Sequence, residues 1–429
     1  MTVVFVSGSL PYPATAGNLI RTLNLMIRLA QRHRIILICH KNPVGAEAAE
    51  AEAVAYLKSR GIETILVNHV VPVKSGATFY ARLAANLFSP LPYSIASHVG
   101  DAMRQAVETL ASRERVDVWQ AEGLPFFESL RSLKRARTLI MAHNVESLIW
   151  QRYFETETQP AKHLHIGHQS SLGNGFVGRD PRKLAKRWYI GHQWRKFERY
   201  EGQAFRAASR VVTVSDEDAE LARSRFGVKQ VDVVDNGIDR HFFEDQCADR
   251  DPNRILFLGS LEWRPNFDAV TVLLDRVFPE VKAAYPAAKL WIVGRNPPDS
   301  LIRRSAETID VELHANVSDV RPYLSQSAVM AVPLRIGGGS RLKILESLAS
   351  GLPVVSTKVG AEGLRLTSGV DLEIVDDESA MAQALVATLR NPGRALLMAE
   401  HGRRQVLERY DWDALSVKLE ECWERCLNG

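Results

Sequence analysis

The sequence predicts an α/β protein built from two doubly wound, parallel-sheet, Rossmann-like domains that face a shared cleft. Three observations lead there. Short apolar, β-branched runs alternate with amphipathic helices in two successive series. The runs are apolar throughout, as strands buried on both faces are. A chain of 429 residues is also too long for one ordinary core and suits two domains of about 200 residues.

In the first series, residues 3–6, 34–39, 64–67, 116–120, 138–142 and 210–214 read as strands. Residues 18–32 read as a helix, with Leu19, Leu23, Met26, Ile27 and Ala30 on one face. The second series comprises 254–258, 289–293, 310–313, 328–332 and 353–357. Between them, the polar stretch 236–253 holds Asp239, Asp245, Asp249, Asp251 and Pro252 and places the boundary. The expected domains are therefore 1–238 and 239–410. A last helix over 411–429 carries the apolar stripe Leu415, Leu419, Cys422, Trp423 and Cys426. The two series share a rhythm and no sequence repeat.

Composition narrows the class. With 46% hydrophobic and 24% charged residues the chain is that of a soluble globular protein, and its formal charge of +4 is too dispersed to argue for nucleic acid. Cys39, Cys247, Cys422 and Cys426 show no zinc-like pairing, so a reduced, cytoplasmic compartment is expected. Val3 to Val6 leads straight into a strand with no basic region before it, unlike a signal peptide. No apolar run approaches the roughly 18 residues of a membrane span.

Two segments stand out from the rhythm. Residues 158–182 contain three His and four Gly with little periodicity and read as a long functional or mobile loop. His163, His165 and His168 lack a convincing metal-ligand spacing there. Residues 186–207 read as a helix with Ile190, Trp194, Phe197 and Phe205 on one side. It carries Lys186, Arg187, Arg195, Lys196, Arg199 and Arg206. It is either a solvated basic helix over the core or a face for anionic lipid headgroups or an acidic acceptor.

The most informative stretch is 333–353, PLRIGGGSRLKILESLASGLP. It reads as strand end, glycine loop, helix and turn. Glycines let the backbone approach a ligand, and a helix opening at Ser340 would offer unpaired N–H groups to a phosphate. Arg341 and Lys343 put cations in a first turn where the macrodipole favours acids, which argues for a bound anion. Glu346, one to two turns on, is placed to reach a sugar hydroxyl. The plainer alternative is a glycine-rich surface loop before a solvated basic helix start.

This stretch resembles the donor-binding signature of the family 4 glycosyltransferases, retaining enzymes of the GT-B fold that use nucleotide sugars. Many members carry two glutamates separated by seven residues. Glu346 matches the second, which in the family binds the nucleotide ribose. The first would fall at Gly338, so that carboxylate is absent, and backbone N–H groups of Gly338 and Gly339 are the replacement for its sugar contacts. The resemblance runs from Val3 to about Leu427 and implies that the final helix crosses back onto the first domain.

Other segments are similar to family landmarks. After the first strand, 7–18 (SGSLPYPATAGN) lacks the Gly-x-Gly-x-x-Gly of dinucleotide binders. Gly17 there matches a family glycine under the donor phosphates, and Asn18 is placed to cap the following helix. In Ala142-His143-Asn144-Val145-Glu146, a strand end places His143 in the cleft, and the following helix start disfavours its charged form. A lone His is more often structural, but this one matches the family's His-Asn-x-Glu motif, whose histidine bonds the donor sugar. Glu146 also fits a capping-box acid. Residues 212–215 and 233–239 match two landmarks bordering the cleft. At 259–266 (GSLEWRPN) the family's Arg and Lys clamps would align near Ser260 and Pro265, neither of them basic. Arg264 is the nearest substitute, with Arg335, Arg341 and Lys343 as other ways to meet the diphosphate charge.

The resemblance thus implies retaining transfer from a nucleoside-diphosphate sugar to a hydroxyl acceptor, in glycan, polysaccharide or glycolipid synthesis. His143 and Glu346 are the expected catalytic residues. Gly17, Arg264, Arg335, Gly338, Gly339, Ser340, Arg341, Lys343 and Glu346 are the expected donor site. No metal or other cofactor is implied. The expected partners are the nucleotide sugar and a glycan, lipid-linked or small-molecule acceptor, with a cytoplasmic location that leaves peripheral contact with anionic membrane open. Two rivals stay open. One is a sugar-nucleotide epimerase. The other is a non-catalytic nucleotide-sugar binding subunit, motivated by the glycine at 338 and the missing clamps.

Overall fold

The computed structural model describes residues 1–158, 181–243, 250–336, 341–375 and 377–428. The loop histidines and Cys247 lie outside them. Each half of the chain forms one fully parallel sheet. The first has the order β3-β2-β1-β4-β5-β6-β7, from β1 (Thr2–Ser7), β2 (Arg34–His40), β3 (Ile62–Val67), β4 (Val118–Ala121), β5 (Thr138–Ala142), β6 (Arg210–Thr213) and β7 (Val231–Val233). The second has the order β10-β9-β8-β11-β12-β13, from β8 (Arg254–Leu258), β9 (Lys289–Gly294), β10 (Val311–Ala315), β11 (Val329–Val332), β12 (Val354–Thr357) and β13 (Glu373–Val375). Val3, Val4, Phe5 and Val6 are all buried, as a central strand covered on both faces requires.

In each sheet the order reverses beside the first strand: β1 pairs with β2 and β4, and β8 with β9 and β11. Such switch points open a crevice at the carboxyl ends of the strands, where ligands of open α/β sheets bind.

The chain passes between the sheets twice, and the two crossings are bonded side by side. Ile238 pairs with Asp411 in an isolated parallel bridge, and its N–H donates to the Tyr410 carbonyl at 2.7 Å. Beyond the second crossing, the helix Trp412–Asn428 returns to the first sheet. Its Trp423 is fully buried, stands edge-on to Phe5 with ring centroids 6.0 Å apart, and donates from the indole N–H to Gln120 Oε1 at 2.8 Å. Glu420 meets His33 at 2.7 Å and Arg32 at 2.8 Å.

The long helix Pro181–Ala207 departs from the expected basic face at one place. Lys196 is buried and donates to the Asn86 carbonyl, so it belongs to the core side with Phe197. No helix among the described residues is long and apolar enough to cross a membrane.

At the double crossing, Gly237 has no room for a side chain. A Cβ there would lie 2.7 Å from both Leu415 Cδ1 and the Tyr410 carbonyl oxygen, and 2.8 Å from the Trp412 ring. Gly237→Ala should therefore destabilise the protein by about 1–3 kcal/mol through overpacking. An unchanged urea midpoint would contradict this packing.

Candidate active site in the cleft

The first-domain wall of the cleft is built at the ends of β1, β4 and β5. After β1 the chain turns into the helix Gly17–Leu29. Asn18 does not cap it: Ala16 holds the N-cap position without a side-chain bond, and Asn18 lies exposed in the first turn. Gly17 opens the helix. Five residues on, Thr22 Oγ1 donates to Glu122 Oε2 at 2.6 Å.

Glu122 directly follows β4 and is only 8% exposed. Gln120 Nε2 donates to its Oε1 at 2.6 Å, and His143 Nε2 lies 3.2 Å from its Oε2. Burial pushes this carboxyl up, but His143, Thr22 and Gln120 together outweigh burial and hold it below the usual range. The site reading from sequence passed over Glu122. The available signal was a charged residue immediately after an apolar strand end.

The helix Glu146–Thr158 begins just after His143. Its cap is not the local Glu146. Instead Glu201, from the long helix, accepts from the Glu146 N–H at 2.8 Å and the Ser147 N–H at 3.0 Å. Burial pushes Glu201 up to about 8 and Glu146 up to about 7.

On the second-domain wall, the helix Leu342–Ala349 starts two residues later than expected, with Arg341 at the N-cap. Residues 337–340 lie outside the described region, so the roles expected of Gly338, Gly339 and Ser340 have no structural account. Arg341 is not a solvated first-turn cation. It is 8% exposed and donates from Nε to the Glu362 carbonyl at 3.0 Å and from Nη2 to Glu362 Oε2 at 3.1 Å. Burial lowers its guanidinium to about 10, which leaves it cationic at neutral pH. From the other domain, Arg152 reaches across to the same carboxylate with two bonds of 2.8 and 2.7 Å. Glu362 therefore joins the two walls.

Lys343 donates to Asn266 Oδ1 at 2.7 Å and sits 4.7 Å from the centre of the Phe257 ring. Burial lowers its ammonium to about 7, with Arg341 acting the same way and Glu346 opposing. Burial raises Glu346 to about 7, with Lys343 opposing. Arg264, at the start of the helix Arg264–Val272, lies 4.5 Å over the Tyr153 ring of the opposite wall.

The structure groups Arg341, Lys343 and Glu346 on one helix, with Arg264 facing the other domain and Gly17 and His143 on the first wall. Arg335 differs. Its guanidinium is held by Asp268 at 2.6 and 3.0 Å and lies 3.6 Å from Glu378, so its charge is already matched. The sequence reading missed Arg152, Tyr153 and Glu362, whose roles arise only where the domains meet.

Glu362→Gln should cost about 3–5 kcal/mol, because it leaves two guanidinium groups short of their shared carboxylate. Chemical denaturation checks this, and a loss below about 1 kcal/mol would contradict the joint described.

Comparison with known proteins places the family and the fold. A family model described as Glycosyltransferase Family 4 matches residues 20–242, and one described as Glycosyl transferases group 1 matches 252–391. The GDP-mannose-dependent alpha-(1-6)-phosphatidylinositol monomannoside mannosyltransferase of Mycolicibacterium smegmatis is 28% identical over 163 residues, 35% of this chain and 43% of that protein. The chain matches less than half the length of such curated relatives. Among solved structures, sucrose-phosphate synthase from Thermosynechococcus elongatus superposes with a TM-score of 0.69 at 16% identity, covering 100% of this chain and 99% of that one. The Anabaena protein HepE, solved with UDP and glucose, gives 0.64 at 11% identity and covers 98% of each chain. The folds are shared although the sequences have diverged widely. With a family model matching more than half of its length, the chain belongs to glycosyltransferase family 4, and its two facing parallel-sheet domains are the GT-B fold.

Proposed function

We propose that this protein transfers a sugar from a nucleoside-diphosphate sugar to a hydroxyl acceptor with retention of configuration, in glycan, polysaccharide or glycolipid synthesis. The observation that carries the reading is the grouping of buried Arg341 with half-buried Lys343 and Glu346 at the start of one cleft helix. Departure of the diphosphate is the demanding event in such a transfer, and preplaced cations stabilise the charge that develops on it. Arg341 and Lys343, with Arg264, take that role, and no divalent ion is called for. Glu346 accepts from the ribose, and His143 from the donor sugar. Closure of the two walls excludes water, so that the acceptor is preferred over hydrolysis. The names of relatives make GDP-mannose the first donor to try, and the ligands of the Anabaena structure make UDP-glucose the second.

The test is a calorimetric screen of nucleoside diphosphates followed by turnover of the matching sugar nucleotide. Transfer is shown by diphosphate release that rises with acceptor, and retention by the anomeric coupling of the product. A new sugar nucleotide formed without acceptor would instead show an epimerase, and tight binding without any turnover a binding subunit. Glu346→Ala should weaken diphosphate binding by about 1.5–3 kcal/mol. Lys343 adds a pH signature. A bound anion favours its charged form, so above pH 7 binding takes up a proton and affinity falls as pH rises. Lys343→Met should reduce that uptake.

The location we propose is cytoplasmic, with reversible contact between the first domain and anionic membrane. Lys186, Arg187, Arg195 and Arg199 are exposed on the long helix, together with Leu184 and Trp188, whereas Lys196 is buried. Each cation near an anionic surface is worth about 1 kcal/mol. Pelleting with phosphatidylserine vesicles at low salt is expected, with loss when the four cations become Glu. Equal pelleting of both proteins would remove the membrane from the reading.

A further inference from the structure

Resting on the donor-site reading above, we propose that Glu122 is a positioning residue that fixes the tautomer of His143, so that Nδ1 meets the donor sugar as a hydrogen-bond acceptor. The direction of every bond in the chain leading to His143 is set by groups that can act in one way only. The Trp423 indole N–H is a donor and nothing else, so Gln120 must turn its carbonyl oxygen toward it, at 2.8 Å. The amide nitrogen of Gln120 then faces Glu122 and donates to Oε1 at 2.6 Å.

Glu122 accepts from Thr22 Oγ1 at 2.6 Å and lies 3.2 Å from His143 Nε2. As a carboxylate it can only accept, so His143 Nε2 must carry a hydrogen. In the neutral ring that the proposal requires, this leaves Nδ1 with a bare lone pair, and a ring found protonated on both nitrogens overturns it. The His143 side chain is 15% exposed, and its Nδ1 has no hydrogen-bond partner among the described residues. An acceptor there suits a sugar hydroxyl and repels phosphate oxygens.

A buried carboxylate is costly when a neutral group would serve. A glutamine at position 122 would turn one of the two accepting oxygens into an NH2, so it could not accept from both Thr22 and Gln120, which donate to different oxygens. Only the carboxylate lacks any hydrogen to offer Nε2, so only it excludes the other tautomer. The helix Trp412–Asn428 thereby enters the site without touching substrate, through Trp423 and Gln120.

The tautomer is read by nitrogen NMR of the ligand-free protein labelled in its histidine rings, with His143 assigned by the signals lost in His143→Gln. The Nε2–H form is expected in the wild type, and Glu122→Gln should populate the Nδ1–H form. The wild-type spectrum does not depend on Glu122→Gln folding: an Nδ1–H ring overturns the inference and leaves the transferase reading intact. An Nε2–H ring in a protein that turns over no sugar nucleotide overturns the transferase reading, and the sugar contact with it. In an active protein, Glu122→Gln should lower kcat about tenfold, the scale of one hydrogen bond, with little change in KM. A donor lacking the bonded hydroxyl should show the same loss in the wild type and no further loss in Glu122→Gln. Losses that add for every deoxy donor overturn the proposed contact.

Discussion

Arg21 is the constraint on which the first wall of the site depends. Its guanidinium has no solvent exposure and donates to the Val234 carbonyl at 2.8 Å, the Asp235 carbonyl and Asn236 Oδ1 at 3.1 Å. Burial lowers it to about 10, with Glu122 and Asp235 opposing, so it stays charged at neutral pH. A charge this deep persists because carbonyl dipoles and nearby carboxylates replace its water. The helix that carries Arg21 also carries Gly17 and Thr22. Fixing that helix against the first crossing therefore fixes the glycine turn and the Thr22 contact to Glu122.

The opposite wall works by a different balance. Lys343 and Glu346 are both held near neutral pKa because burial penalises the charge of each while their mutual attraction only partly offsets it. Either member of such a pair can change its charge near neutral pH. Arg341, which remains charged, is held meanwhile by Glu362. The two walls thus differ in kind: the first is a fixed set of directed bonds, the second a set of charges near their balance point.

The strands with continuous apolar runs were legible in the sequence, because burial on both faces leaves a mark in local composition. The edge strands Val231–Val233 and Glu373–Val375 were missed, since three residues carry neither a run nor an alternation. The grouping of Arg341, Lys343 and Glu346 could be read because one helix brings it together within six positions. Lys196 was misplaced on the basic face because helical periodicity gives a direction but not what lies above it, here Asn86. Glu201 as the cap of the helix after His143 could not be read locally, being 55 positions from Glu146. Glu122 carried a local signal, a charge just after an apolar strand end, but its role could not be read there. Its three partners, Thr22, Gln120 and His143, come from a helix, its own strand and the next strand, and meet only in the folded sheet.

The returning helix makes the two halves unequal as units of inheritance. Because Ile238 and Asp411 lie side by side and Trp423 completes the first sheet, the second sheet is topologically an insertion between neighbouring points of the first domain. A recombination event that exchanged everything after residue 238 would strip Phe5 and Gln120 of their covering helix. One that exchanged only the segment between the two crossings would leave that surface whole. The second sheet can therefore be traded between relatives as a cassette cut at paired points, but not as a simple tail.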